Sequence, residues 1–108
     1  MAQQLSKFTQ IEGLPNVWSA RRGSLRCTVF KLKGGGIAVF SPVLGLTDGV
    51  HKQLQSLGPV RFLLAPNHYH NKGLAEYAQT FPDAAIIAPQ AAHERLVRVT
   101  GLRFDDLT

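Results

Sequence analysis

The sequence predicts an α/β fold in which a β-hairpin leads into a β-α-β-α-β-α unit. Two observations carry this prediction. Apolar residues first alternate with a period of two, and from about residue 47 they recur at helical spacing between short apolar runs. Strands that alternate with helices of this length pair in parallel through right-handed crossovers. All 108 residues are expected to form a single domain, in which residues 1–12 show no clear period and are expected to be irregular.

The predicted hairpin lies between residues 25 and 40. Apolar residues alternate along 25–32, and a second apolar run follows at 37–40. Between these runs stands Lys33-Gly34-Gly35-Gly36, whose glycines adopt positive φ at little cost. Two β-rich runs around a glycine turn are typical of a hairpin. The alternating stretch 16–20 predicts one more short strand.

The helices and buried strands are predicted in alternation after the hairpin. The first helix is expected to start at the N-cap Thr47 and to stop at Gly58. A buried strand is expected at 60–65, which is short and apolar and is bounded by Pro59 and Pro66, and another at 84–88. The three helical stripes are Val50, Leu54 and Leu57; Leu74, Ala78 and Phe81; and Ala92, Leu96 and Val99.

The composition is that of an ordinary globular protein, with 44% hydrophobic and 18% charged residues. No apolar run approaches the roughly 20 residues of a membrane helix. The first residues lack the apolar core of a signal peptide. A single cysteine, Cys27, cannot form an internal disulfide and agrees with a reducing compartment. We therefore expect a cytoplasmic protein without a membrane partner.

The formal net charge of +5 fits either an ordinary surface that is basic or an anionic partner such as nucleic acid or a phosphorylated metabolite. The basic residues are spread along the chain, without an arginine-rich run or regularly spaced stacking aromatics. The net positive charge is thus the one feature that favours nucleic acid, and the same charge would attract a small anionic ligand.

One loop gathers polar and basic side chains at the carboxyl end of a predicted parallel strand, which is where α/β sheets bind ligands. This loop runs from Pro66 to Gly73 and contains His68 and His70. In an extended segment residues two apart point to the same side, so both imidazoles could face one metal ion. Two ligands are nevertheless fewer than the three or four that zinc takes from proteins.

The order of elements and the histidine loop resemble the N-terminal half of the metallo-β-lactamase superfamily. In that superfamily a hairpin-led sheet is followed by a helix, a buried strand and a His-x-His-x-Asp-His loop. The resemblance covers nearly the whole chain from about residue 11, and an uncharacterised branch of the superfamily has similar sequence stretches. These stretches are Val17-Trp18-Ser19-Ala20-Arg21-Arg22, Ser41-Pro42-Val43, Leu57-Gly58-Pro59-Val60-Arg61-Phe62-Leu63, Ala65-Pro66-Asn67 with His70, and Phe81-Pro82-Asp83-Ala84.

The motif matches only in part. The resemblance implies that His68 and His70 correspond to the first two histidines, which bind the first metal. Lys72 falls on the aspartate and Gly73 on the last histidine, which bind the second metal. The positive charge of Lys72 would repel a metal ion at the second site. The cofactor expectation is therefore either none or one divalent metal, for which zinc is favoured.

The superfamily domain is a sandwich of two α/β halves, in αββα order, and this chain has the length of one half. Its sheet is then expected to present an apolar face that needs covering. The chain could be a fragment, could cover the face with its own helices, or could pair with a second copy. We favour a homodimer, because two-fold dimers are the commonest oligomers.

Three functions follow from these observations. The first is a non-catalytic or weakly active relative, whose pocket around the His68/His70 loop binds a small anionic ligand through Asn67, Asn71 and Lys72. The second is a single-metal-dependent hydrolase of an ester, amide or phosphoester, with a third ligand from His51, from His93 or from a partner chain. No carboxylate stands next to the histidines to act as a base, which favours the first function. The third is a nucleic-acid-binding module.

Overall fold

The computed structural model describes residues 4–65 and 71–88, with backbone only for residues 71 and 72. This part of the chain folds into a mixed sheet of six strands with two helices. The strands are β1 (Thr9–Gln10), β2 (Val17–Arg22), β3 (Leu25–Lys31), β4 (Ile37–Phe40), β5 (Val60–Leu64) and β6 (Ala85–Ile87), and the helices are α1 (Asp48–Leu57) and α2 (Asn71–Thr80).

The strands lie in the sheet in the same order as in the chain. β1 to β4 are antiparallel, whereas β4, β5 and β6 run parallel, joined through α1 and α2. This arrangement confirms the predicted α/β class, the hairpin and the two crossovers that follow it. The third predicted helix, with its stripe of Ala92, Leu96 and Val99, lies outside the described residues. None of the described helices is long and apolar enough to cross a membrane.

Both helices pack on one face of the sheet. Side chains from the centre of the sheet, Val29 on β3, Val39 on β4 and Leu63 on β5, are fully buried there. They join Leu54 of α1 and Tyr77 of α2 in one hydrophobic cluster. Each such side chain stabilises the fold by about 1.5–3 kcal/mol relative to exposure. The opposite face, which we call the outer sheet face, carries the alternate residues of the same strands.

The amino-terminal stretch is attached to α1 by a side-chain amide. Leu5 and Phe8 are buried in the core, although the stretch has no helical or strand period. The Gln53 amide accepts a hydrogen bond from the backbone N–H of Phe8 at 2.8 Å and donates one to its carbonyl at 2.6 Å. One amide thus supplies the donor and the acceptor that a neighbouring strand would otherwise provide.

The predicted ends of α1 are confirmed. The Thr47 hydroxyl accepts a hydrogen bond from the Val50 N–H at 3.2 Å, and the Gly58 N–H donates to the Leu54 carbonyl. Gly58 has a φ of 150°, and a side chain there would collide with the carbonyl oxygen of Gly35. The glycine turn between β3 and β4 and the end of α1 therefore depend on each other for close packing.

The predicted extent of the loop at 66–73 is wrong at its carboxyl end. Asn71, Lys72 and Gly73 form the first turn of α2, which we expected to begin near Leu74. Glycine disfavours helices by about 1 kcal/mol relative to alanine, and its presence favoured a loop. Tertiary packing overrides that preference, because Gly73 lies against the backbone of Pro42 and Leu44 at a distance that leaves no space for a side chain.

Candidate ligand-binding site

The carboxyl ends of β4, β5 and β6 form one edge of the sheet, which we call the carboxyl edge. The Ser41 N–H, just after β4, donates to the Leu64 carbonyl at 2.9 Å. The Ala65 N–H, just after β5, donates to the Ile87 carbonyl at 2.9 Å. β5 ends at this edge, and the predicted histidine loop follows Ala65 in the sequence. Ligands of parallel sheets bind at such an edge.

Of the residues predicted for the site, the structure describes two. The backbones of Asn71 and Lys72 begin α2 and lie at the carboxyl edge, next to Gly73. Asn67, His68 and His70 lie outside the described residues. The structure thus brings the start of α2 to the edge where the sequence placed the pocket.

The contact between Gly73 and the chain after β4 shapes this edge. A Cβ built on Gly73 would lie 2.7 Å from the carbonyl carbon of Pro42 and 2.9 Å from the Leu44 nitrogen. Real Cβ atoms do not approach heavy atoms this closely without a shift of the backbone. The position that the resemblance assigns to the last metal-binding histidine is therefore filled by main chain. A second metal site of the superfamily type does not fit here.

Glu76, about one turn further along α2, also binds the segment that follows β4. One of its carboxylate oxygens accepts hydrogen bonds from the N–H groups of Gly45 and Leu46, both at 2.9 Å. Two donors on one ionised acceptor make strong hydrogen bonds, and the side chain is half-buried. Sequence reasoning missed Glu76, because nothing local links a helical glutamate to a loop some 30 residues earlier.

Ser41 is a second residue at this edge that sequence reasoning did not single out. It is buried and is the one described non-glycine residue with a positive φ, at 57°. A residue before proline ordinarily adopts an extended backbone, so the sequence carries no signal for this conformation. Strained residues of this kind cluster at functional sites. Its position beside the end of β5 makes Ser41 a candidate lining residue.

The start of α2 offers positive charge at this edge. The N-terminus of a helix carries a partial positive charge from its unpaired N–H groups. The first turn of α2 contains no acidic residue, and Lys72 is its second residue. A phosphate or carboxylate is the ligand that such an arrangement stabilises.

Two reactive residue types lie buried beneath the edge and are unsuited to catalysis. The sulfur of Cys27 is 3.9 Å from the Tyr77 hydroxyl, and both side chains are inaccessible to solvent. Burial raises the pKa of the Cys27 thiol to about 12 and also raises the pKa of Tyr77 well above its ordinary value. A nucleophilic thiol needs a lowered pKa. Cys27 is therefore an inert buried thiol.

The histidine of α1 is distant from the start of α2. The ring of His51 packs edge-to-face on Phe81 at 5.2 Å between centroids, just past the last residue of α2. A helix of ten residues is roughly 15 Å long, which separates His51 from Asn71. His51 is thus badly placed to supply the third metal ligand, and His93 lies outside the described residues. Within residues 4–65 and 71–88, no three histidine, cysteine, aspartate or glutamate residues form a group that could hold a metal.

No family model and no curated protein matches the chain. The likeness to the metallo-β-lactamase superfamily therefore rests on the motifs and the order of elements alone.

Proposed function

We propose that this chain is a non-catalytic or weakly active relative of the metallo-β-lactamase superfamily that binds a small anionic ligand at the carboxyl edge. The packing of Gly73 against Pro42 carries the proposal, because it leaves no space for the last histidine of the superfamily motif. His68, His70, Asn67, Asn71 and Lys72 line the pocket in this proposal. Cys27, a free and buried cysteine, agrees with a reducing, cytoplasmic setting.

Binding is tested with inorganic phosphate as the probe and with zinc chloride as the alternative. We expect phosphate to raise the unfolding temperature saturably, since ligands that bind only the native state stabilise it. Lys72→Met should weaken phosphate binding about tenfold or more, which is the effect of losing one charge-assisted hydrogen bond. Lys52→Met, at an exposed position of α1, is the matched control and should leave binding unchanged.

Metal analysis separates this proposal from a single-metal hydrolase. Protein purified without an affinity tag should contain less than about a tenth of an equivalent of zinc, iron or manganese, because two histidines are too few ligands for a tight site. A stoichiometric metal that disappears in the His68→Ala/His70→Ala variant would contradict the proposal and favour the hydrolase. The absence of a thermal shift with phosphate would also count against an anion site. So would a Lys52→Met variant that loses as much phosphate affinity as Lys72→Met.

We also propose that two copies of the chain pair through the outer sheet face. Phe30 and Phe40 alternate with the core residues Val29 and Val39 and are 38% and 39% exposed. They are in register with Ala38 and Leu64 on neighbouring strands, which extends the apolar surface across the sheet. Monomers seldom expose contiguous apolar patches of this kind.

Light scattering tests the dimer. We expect twice the chain mass of 11.8 kDa in the native protein. Phe40→Glu should yield the monomer, because a carboxylate is costly to bury in an apolar interface. Gln55→Glu adds the same charge at an exposed position of α1 and should leave the dimer intact. A clean 11.8 kDa species at high protein concentration would exclude this pairing.

A further inference from the structure

A cleft lies at the opposite ends of the strands from the carboxyl edge. It is an open cleft of about 520 Å³ between the last turns of α1 and α2 and the start of β5. Its volume falls within the range of roughly 300–1,000 Å³ that small-molecule sites occupy. The chemistry-bearing residues that line it are His51, Gln55, Arg61, Thr80, Phe81 and Asp83.

An aromatic pair supplies the apolar part of the cleft. The rings of His51 and Phe81 meet edge-to-face, with an interplanar angle of 75°. This contact joins α1 to the end of α2 and fixes the relative position of two walls. Val60 also lines the cleft and adds aliphatic surface. A ligand with an apolar side group therefore has a surface on which to pack.

Arg61 is held at the cleft by its packing on a glycine. A Cβ on Gly36 would collide with Cγ of Arg61 and would lie 3.3 Å from its Nε. The arginine stem thus packs on Gly36, and the exposed Arg61 side chain lines the cleft. Among residues 4–65 and 71–88, Arg61 has no ion-pair partner. A guanidinium placed in this way suits a bidentate carboxylate.

The other side of the cleft is electronegative. Asp83 lines it and forms no ion pair within the described part of the chain. Both α1 and α2 end at the cleft, and the C-terminus of a helix carries a partial negative charge. Neither helix has a basic residue in its last turn to balance that charge. An ammonium group is what this side favours.

We propose that this cleft binds a small zwitterion of the α-amino-acid class. Its carboxylate pairs with Arg61, its ammonium group lies near Asp83 and the helix ends, and its side chain packs on Phe81. The two charged side chains of the protein line one cleft without pairing to each other, and a zwitterion complements both. This site is separate from the carboxyl edge and does not depend on the histidine loop.

The probe is L-phenylalanine, titrated into ¹⁵N-labelled protein and followed by amide chemical shifts. We expect saturable shifts at Val60, Arg61 and Phe81, with a dissociation constant on the order of millimolar. Arg61→Met keeps the stem on Gly36 and removes the charge, and Asp83→Asn removes the carboxylate. Each should weaken binding about tenfold or more. Arg21→Met, exposed on β2, should bind like the wild-type chain.

A neutral probe and a conservative variant complete the test. N-acetyl-L-phenylalanine amide has the same ring without either charge and should not bind. Arg61→Lys should retain part of the affinity, since it keeps the charge but loses the fork of donors. The proposal fails if no shifts occur up to about 20 mM. It also fails if the neutral probe binds equally well, or if the shifts map to the start of α2 instead.

Discussion

Gly73→Ala is expected to lower the free energy of unfolding by about 2–3 kcal/mol. The added methyl group would enter space that the carbonyl of Pro42 and the nitrogen of Leu44 already occupy. Backbone cannot rotate away as a side chain can, so α2 would have to shift from the sheet. The opposing gain in helix propensity is only about 1 kcal/mol. Thermal or urea unfolding followed by circular dichroism measures the net change.

Gly49→Ala is the matched control for this substitution. Gly49 also lies in the first turn of a helix, and a Cβ there would meet nothing closer than the Thr47 hydroxyl at 3.9 Å. The same methyl group should therefore be neutral or stabilise by up to about 1 kcal/mol. Equal losses of stability in both variants would show that the Pro42 contact does not restrict Gly73. The loss in Gly73→Ala should also reduce phosphate binding, because it displaces the start of α2.

The features that the sequence predicted correctly are those decided within a few residues. The cap of α1 depends on Thr47 and Val50, which are three positions apart, and its end depends on Gly58. The hairpin follows from alternation on both sides of a glycine turn. Such local signals carry most of the element order, because hydrophobic period and turn chemistry act over one or two turns. The α/β class then follows from the order.

The features that the sequence did not predict depend on contacts between distant segments. Gly73 is helical because Pro42 packs on it, and no local rule anticipates a glycine inside the first turn. The burial of Leu5 and Phe8 depends on Gln53, which is 45 residues from Phe8. Tertiary packing decides these cases, and it overrides propensity wherever the two conflict.

The two candidate sites also differ in whether the sequence predicts them. The carboxyl edge was predicted because parallel strands bind ligands at their carboxyl ends, a rule that needs only the order of elements. The cleft at the other end combines Arg61 on β5, Asp83 before β6 and His51 on α1. Nothing in their spacing along the chain brings these residues together. Their grouping is produced by the crossovers, which return both helices to the starting ends of the strands.

Glu76→Ala is expected to cost about 2–4 kcal/mol, because it removes the charged acceptor of two hydrogen bonds. The N–H groups of Gly45 and Leu46, both 2.9 Å from the carboxylate oxygen, would lose their partner in a half-buried place. Glu76→Gln retains an oxygen at the same reach and should cost about 1 kcal/mol. Urea unfolding gives the stabilities, and amide hydrogen exchange at Gly45 and Leu46 reports the local effect.

Gln79→Ala provides the comparison on the same helix, since Gln79 is exposed and its loss should change stability by less than about 0.5 kcal/mol. A Glu76→Ala variant as stable as Gln79→Ala would mean that the segment after β4 holds its shape without the carboxylate. If exchange at Gly45 and Leu46 instead accelerates while the remaining sheet stays protected, Glu76 acts locally. It would then keep the wall of the carboxyl edge in place, and phosphate binding should weaken in Glu76→Ala but persist in Glu76→Gln.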